Sequence, residues 1–97
     1  MPAGDYFRGG NSLKPRARDV KIDKATALVQ PLRGVSVYNR PDNLEKFGGA
    51  HRVTNVPAEL QIVQRGQDPT HFEIVPVRPI TWAEYEEALN KIVLVPV

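Results

Sequence analysis

The chain contains no cysteine. That absence excludes a disulfide framework, a zinc–thiolate centre and a thiol nucleophile. Histidine occurs only at His51 and His71, and neither belongs to an HExxH pair. No P-loop and no calcium-loop pattern is present, so no metal site is expected. Gly9-Gly10 and Gly48-Gly49 are too short to cradle a phosphate. No apolar run approaches the roughly 20 residues of a membrane-spanning helix. Met1 to Asn11 carries no apolar stretch of the kind that marks a secretory signal. These absences lead to the expectation of a cytoplasmic chain with no membrane partner.

What remains is an ordinary folding composition, 41% hydrophobic and 25% charged over 97 residues. Such a chain has the capacity for one domain, expected over residues 1–97, with residues 1–4 frayed. Nine prolines and seven glycines imply short elements and frequent turns. The net charge of +2 is unevenly placed. Arg8, Lys14, Arg16, Arg18, Lys21 and Lys24 stand against Asp5, Asp19 and Asp23 in the first quarter. Near the other end, Glu84, Glu86 and Glu87 surround Lys91. A basic N-terminal segment can attract phosphate or an acidic partner, or it can simply solubilise the chain.

The pattern predicts an α+β fold, with a small, mostly antiparallel sheet followed by one C-terminal helix. Asp5 to Arg8 reads as a short strand ended by Gly9-Gly10-Asn11, and Ala27-Leu28-Val29 begins a strand-like run closed by Pro31. Arg33 to Tyr38 alternates with period two, placing Val35 and Val37 toward a core and Gly34, Ser36 and Tyr38 on the other face. Asn39 to Asn43 is turn chemistry, and Leu44 to Phe47 forms one helical turn stopped by Gly48-Gly49. Residues 50–58 read as an extended loop. Leu60 to Gln64 and His71 to Val77 are strands joined by a loop long enough for antiparallel return. On the second of these, Phe72 and Ile74 face one way, and His71, Glu73 and Val75 the other. The helix has the clearest local grammar. Thr81 and Glu84 make a capping box, and Ile80 and Tyr85 hold the positions of a hydrophobic staple. Trp82, Tyr85, Leu89 and Ile92 then line one face. The apolar tail Val93–Val97 is expected to pack against the sheet or a partner.

Few polar residues can carry chemistry. His71 opens a strand with Glu73 on its face. It suits either ligand contact or a bond to a loop carbonyl. Ser36 sits mid-strand between two valines, beside Gly34. A serine there suggests a close backbone approach or a ligand, or else an ordinary solvent-facing hydroxyl. Arg8 follows two aromatic residues and precedes two glycines. It can grip a phosphate bidentately or stand as a surface cation. A serine–histidine–acid set could be assembled from Ser36, His71 and an acid, but no nucleophile elbow is present.

The runs RGVSVYNRP at Arg33–Pro41 and PTHFEIVPVRPIT at Pro69–Thr81 carry a resemblance. With Pro57-Ala58-Glu59-Leu60 and the aromatic–arginine start Tyr6-Phe7-Arg8, they resemble the type VI secretion effectors that have an ADP-ribosyltransferase-like toxin domain. The resemblance covers residues 33–92. It implies an ADP-ribosyltransferase-like fold and a growth-inhibiting bacterial toxin acting on NAD, held off by a cognate antitoxin or immunity protein. It places Arg8, Gly34, Ser36 and Tyr38 around NAD and gives Arg8, Ser36 and His71 catalytic roles. Arg8 would hold the phosphate or ribose, Ser36 the nicotinamide ribose side, and His71 the reacting group or target. It assigns no catalytic acid, for which Glu73 and Glu59 are candidates, and Val35 stands where a hydroxyl residue often sits. Two other readings stay open: a ribonuclease toxin using His71 or His51 with the N-terminal arginines, and a non-catalytic interaction module built on the apolar tail.

Overall fold

The computed structural model describes residues 5–42 and 44–97. The expectation of frayed residues 1–4 falls outside the described residues, as does Asn43 of the expected turn. Strands β1 (Phe7–Gly9), β2 (Val35–Tyr38), β3 (Ala50–Thr54), β4 (Leu60–Gln64) and β5 (His71–Pro76) precede helix α1 (Trp82–Asn90) and strand β6 (Val93–Pro96). They form an α+β fold whose sheet has the order β4-β5-β2-β1-β3-β6, with every neighbouring pair antiparallel.

Alternation in β2 does what its valines require. Val35 and Val37 are buried and lie opposite Ile74 and Phe72. Tyr85, Ala88 and Leu89 of α1 join them in one apolar cluster with Val29, Val53, Leu60 and Ile80. Burial of side chains of this size contributes roughly 1.5–3 kcal/mol each. The helix begins as its sequence dictates. The Glu84 N–H donates to Thr81 Oγ1 at 3.1 Å, and the Thr81 N–H donates to Glu84 Oε1 at 2.9 Å. Hydrogen bonds from the Thr81 N–H and hydroxyl hold the Glu84 carboxyl below its ordinary range.

Two segments differ from the sequence expectation, and the apolar tail meets it in a specific form. Residues 50–58 read as loop in the sequence, yet Ala50–Thr54 is a strand paired on both sides, by β1 and by β6. Its polar residues His51, Arg52 and Thr54 hide the alternation. The apolar tail packs by becoming the edge strand β6, where Pro96, which has no N–H, is tolerated. Ala27–Val29 does not extend into a strand. Val29 makes only isolated bridges to Ile22 and Ile80, because the chain turns just before it: Asp23 Oδ2 accepts from the Thr26 N–H and hydroxyl, and Ala27 has φ +59°.

The sheet is nearly divided in two. β2 pairs with β5 over four residues and β1 with β3 over three, but β1 and β2 meet only at Phe7 and Tyr38. Beyond that pair the two strands part. Had the ladder continued, Gly9 would stand opposite Ser36. Instead Gly10 turns away with φ +86° and donates its N–H to the Gly49 carbonyl at 2.9 Å. The parting opens a cleft between the halves.

Candidate functional site

Register decides which side chains meet. Ser36 lies opposite Glu73 and Tyr38 opposite His71, so these four side chains share the face of the sheet turned away from Val35 and Val37. His71 Nδ1 is 2.8 Å from the Arg65 carbonyl oxygen, and Nε2 is 3.0 Å from Ser36 Oγ. A carbonyl can only accept, so Nδ1 carries a hydrogen, and in the tautomer with one ring hydrogen Nε2 is then the acceptor. In that tautomer the Ser36 hydroxyl donates to Nε2, and its lone pairs are left for a ligand. The Tyr38 ring stands 5.5 Å from the His71 ring, tilted against it.

Glu73 is the one polar residue among the buried residues described, 9% exposed. Its Oε1 accepts from the Gly34 N–H at 3.0 Å and pairs with Arg65 Nε at 3.2 Å. Oε2 lies 3.7 Å from His71 Nε2, beyond hydrogen-bond range, and would form an ion pair there only with a protonated imidazole. Arg65 is exposed, so its pair with Glu73 contributes no more than about 1 kcal/mol. The larger effect is steric order, since one residue supplies the carbonyl for His71 and the guanidinium for Glu73.

Arg8 occupies the place where β1 and β2 part. Its Nη1 donates to the Ser36 carbonyl at 2.7 Å and its Nε to the Ser12 carbonyl at 3.1 Å. The guanidinium thus replaces the backbone N–H that a continuing β1 would have offered to Ser36. Burial pulls the Arg8 guanidinium below its ordinary value, opposed by the Asp19 carboxylate; the group remains a cation. A cavity of about 380 Å³ opens beside it, lined by Arg8, Gly9, Arg16, Asp19, Ser36, Tyr38 and Phe47. That volume falls within the roughly 300–1,000 Å³ of small-molecule sites. A larger hollow of about 500 Å³ lies between residues 11–15 and α1, but Lys14 and Glu86 are the only ionisable residues lining it.

Arg8, Ser36 and Tyr38 all line one cleft; register starts Arg8 on the face of His51, away from His71, and its guanidinium reaches the Ser36 carbonyl through the gap where the strands part. Gly34 does not reach the cleft. A Cβ there would lie 1.7 Å from the Ile74 carbonyl oxygen and 2.8 Å from the Tyr85 hydroxyl, so this glycine is required by close backbone approach. Tyr85 itself bridges the strands: its hydroxyl accepts from the Val35 N–H at 3.1 Å and donates to the Ile74 carbonyl at 2.6 Å. Of the two candidate acids, Glu73 is occupied as described, and Glu59 pairs with Lys91 at 3.4 Å on the surface. His51 lies opposite Arg8 on β3, and register turns it to the face opposite His71. Its Nδ1 is buried without a partner among the described residues. Sequence reasoning did not single out Asp19, Phe47 or Arg65, and only the opposed charges of Arg65 and Glu73 around one hairpin gave a signal.

No family model, curated protein or solved structure matches the chain at a significant level. Among the described residues, no helix is long and apolar enough to cross a membrane, and no group of three or more potential ligands could hold a metal ion.

Proposed function

We propose that this chain is a growth-inhibiting bacterial toxin with an ADP-ribosyltransferase-like fold, that its cleft binds NAD as substrate, and that a cognate antitoxin or immunity protein neutralises it. The observation that carries the reading is the double fixation of Ser36, whose hydroxyl is oriented by His71 and whose carbonyl is held by Arg8. Such fixation spares the Ser36 hydroxyl reorganisation during reaction, and Ser36 lines a cavity of suitable size.

The residues present suit such a ligand. Arg8 and Arg16 bring two cations for a diphosphate. Tyr38 offers an aromatic edge, and the Ser36 hydroxyl an acceptor for a ribose hydroxyl or an amide N–H. NAD supplies an activated glycosidic bond to ribose. His71 acts through Ser36: with Nε2 accepting, it fixes where the serine proton points. Acyl transfer from the same serine–histidine pair is less well supported. The N–H groups of Gly34 and Val35 that precede Ser36 already donate to Glu73 and to the Tyr85 hydroxyl, so they supply no oxyanion hole. The ribonuclease reading lacks an acid–base pair, because the two histidines occupy opposite faces.

Inducible expression in a bacterial host tests the proposal. Growth arrest by the wild type, relieved in Ser36→Ala and His71→Ala at equal protein levels, with nicotinamide released from NAD by the purified wild type alone, is the expected result. A well-folded wild type that neither slows growth nor consumes NAD overturns it.

A further inference from the structure

The cleft contains a carboxylate that neither sequence pattern nor resemblance singled out. We infer that Asp19 is the catalytic carboxylate of this cleft, facing the cationic pyridinium–ribose end of NAD; this rests on the NAD reading above. The first ground is place. Asp19 lines the cavity together with Arg8, Arg16 and Ser36, and neither Glu73 nor Glu59 does; its Oδ2 is paired with Arg16 Nε at 3.6 Å, which leaves Oδ1 for a ligand.

The second ground is how firmly Asp19 is held. It closes a short 3-10 turn, Ala17–Asp19, in which its Oδ2 accepts the Arg16 N–H at 2.8 Å. The turn is anchored by the buried Val20 and tied to the chain entering β2 by a bond from Arg33 Nη2 to the Arg18 carbonyl at 3.2 Å. The Asp19 side chain is only 21% exposed. One oxygen thus serves the turn, and the second can serve a ligand.

The third ground is charge. Two arginines beside one carboxylate match a ligand with two phosphate charges and one pyridinium charge. In the reaction the bond from ribose C1′ to the pyridinium nitrogen breaks, and its electron pair leaves with neutral nicotinamide. Positive charge passes to C1′ and the ring oxygen. A nucleophile, either water or a side chain of the target, then bonds to C1′ and releases its proton. A fixed carboxylate near that charge stabilises it more than the ground state as desolvation deepens.

The test is Asp19→Asn, whose amide oxygen still accepts the Arg16 N–H, with a thermal melt to show that the fold is kept. Binding of NAD⁺ and of NADH, whose nicotinamide ring is neutral, is measured by calorimetry alongside nicotinamide release. The wild type is expected to favour NAD⁺ by roughly tenfold, the scale of one charge–charge interaction in a partly exposed site. Asp19→Asn is expected to lose that preference and to release nicotinamide on the order of 100-fold more slowly. A purely structural role would weaken both ligands alike. If the variant keeps both the preference and the rate, Asp19 is not the catalytic carboxylate, while NAD binding by the wild type leaves the parent reading standing. If the wild type binds neither form, both fall.

Discussion

Replacing Tyr85 with phenylalanine removes a single oxygen, yet two strands depend on it. The hydroxyl lies between the Val35 N–H and the Ile74 carbonyl, which face each other across β2 and β5. Tyr85 is fully buried, so no water can take its place without a rearrangement. Tyr85→Phe leaves a donor and an acceptor unsatisfied, at about 1–3 kcal/mol each. A domain of this size has a total stability of roughly 5–15 kcal/mol. Even the low end, about 2 kcal/mol, lowers the melting temperature by about 8–16 °C. The same burial pushes the phenol up to about 12 from 10.0. Below pH 10 both folded and unfolded chains hold this proton. Between pH 10 and 12 the unfolded chain loses it first, so stability falls by about 3 kcal/mol as pH rises through that window. Tyr85→Phe lacks that contribution, and its alkaline loss is correspondingly shallower. Thermal and urea denaturation at pH 7, 10 and 12, followed by circular dichroism, measure both effects. A variant that melts within 2 °C of wild type at pH 7, or shows the same alkaline decline, refutes the bridging role, since the two strands would then pair without it.

Gly34→Ala would place a methyl group 1.7 Å from the Ile74 carbonyl oxygen; it is expected to cost more than the usual 1–3 kcal/mol of overpacking, read as loss of soluble folded protein or a fall in urea midpoint. Ser36→Ala removes one part-buried hydrogen bond, worth about 1 kcal/mol, so its melting temperature should drop by only about 4–8 °C while growth arrest disappears. Thr81→Ala removes the cap of α1 at about 1 kcal/mol, measurable by urea unfolding, with NAD binding unchanged. The Glu84 half of that box has a depressed carboxyl value. Its contribution is therefore present above the ordinary value of 4.5 and fades as pH falls through the lower folded value.

Local grammar determines structure where local forces dominate. The Thr81–Glu84 box, the period-two valines of β2, and Gly48, whose φ of +96° ends the Glu45–Phe47 turn, all depend on neighbours within a few residues. β3 is not legible in its own polar residues because its stability comes from partners far away in the chain, β1 and β6. At the site, Ser36, Tyr38 and His71 followed from alternation once their strands were known. Their convergence with Arg8 did not, because it depends on where β1 and β2 part. Asp19 and Phe47 were invisible for the same reason: each sits on a short turn whose place over the cleft is fixed only by long-range contacts.

The most direct test of the NAD-binding cleft is a titration of the ¹⁵N-labelled protein with NAD⁺, observing the imidazole nitrogens of His71 and the amides of Ser36 and Tyr38. The expected result is an Nδ1–H imidazole in the free protein, with saturable shifts at His71, Ser36 and Tyr38 that are absent in Ser36→Ala. An Nε2–H imidazole, or a spectrum unmoved by millimolar NAD⁺, contradicts the account.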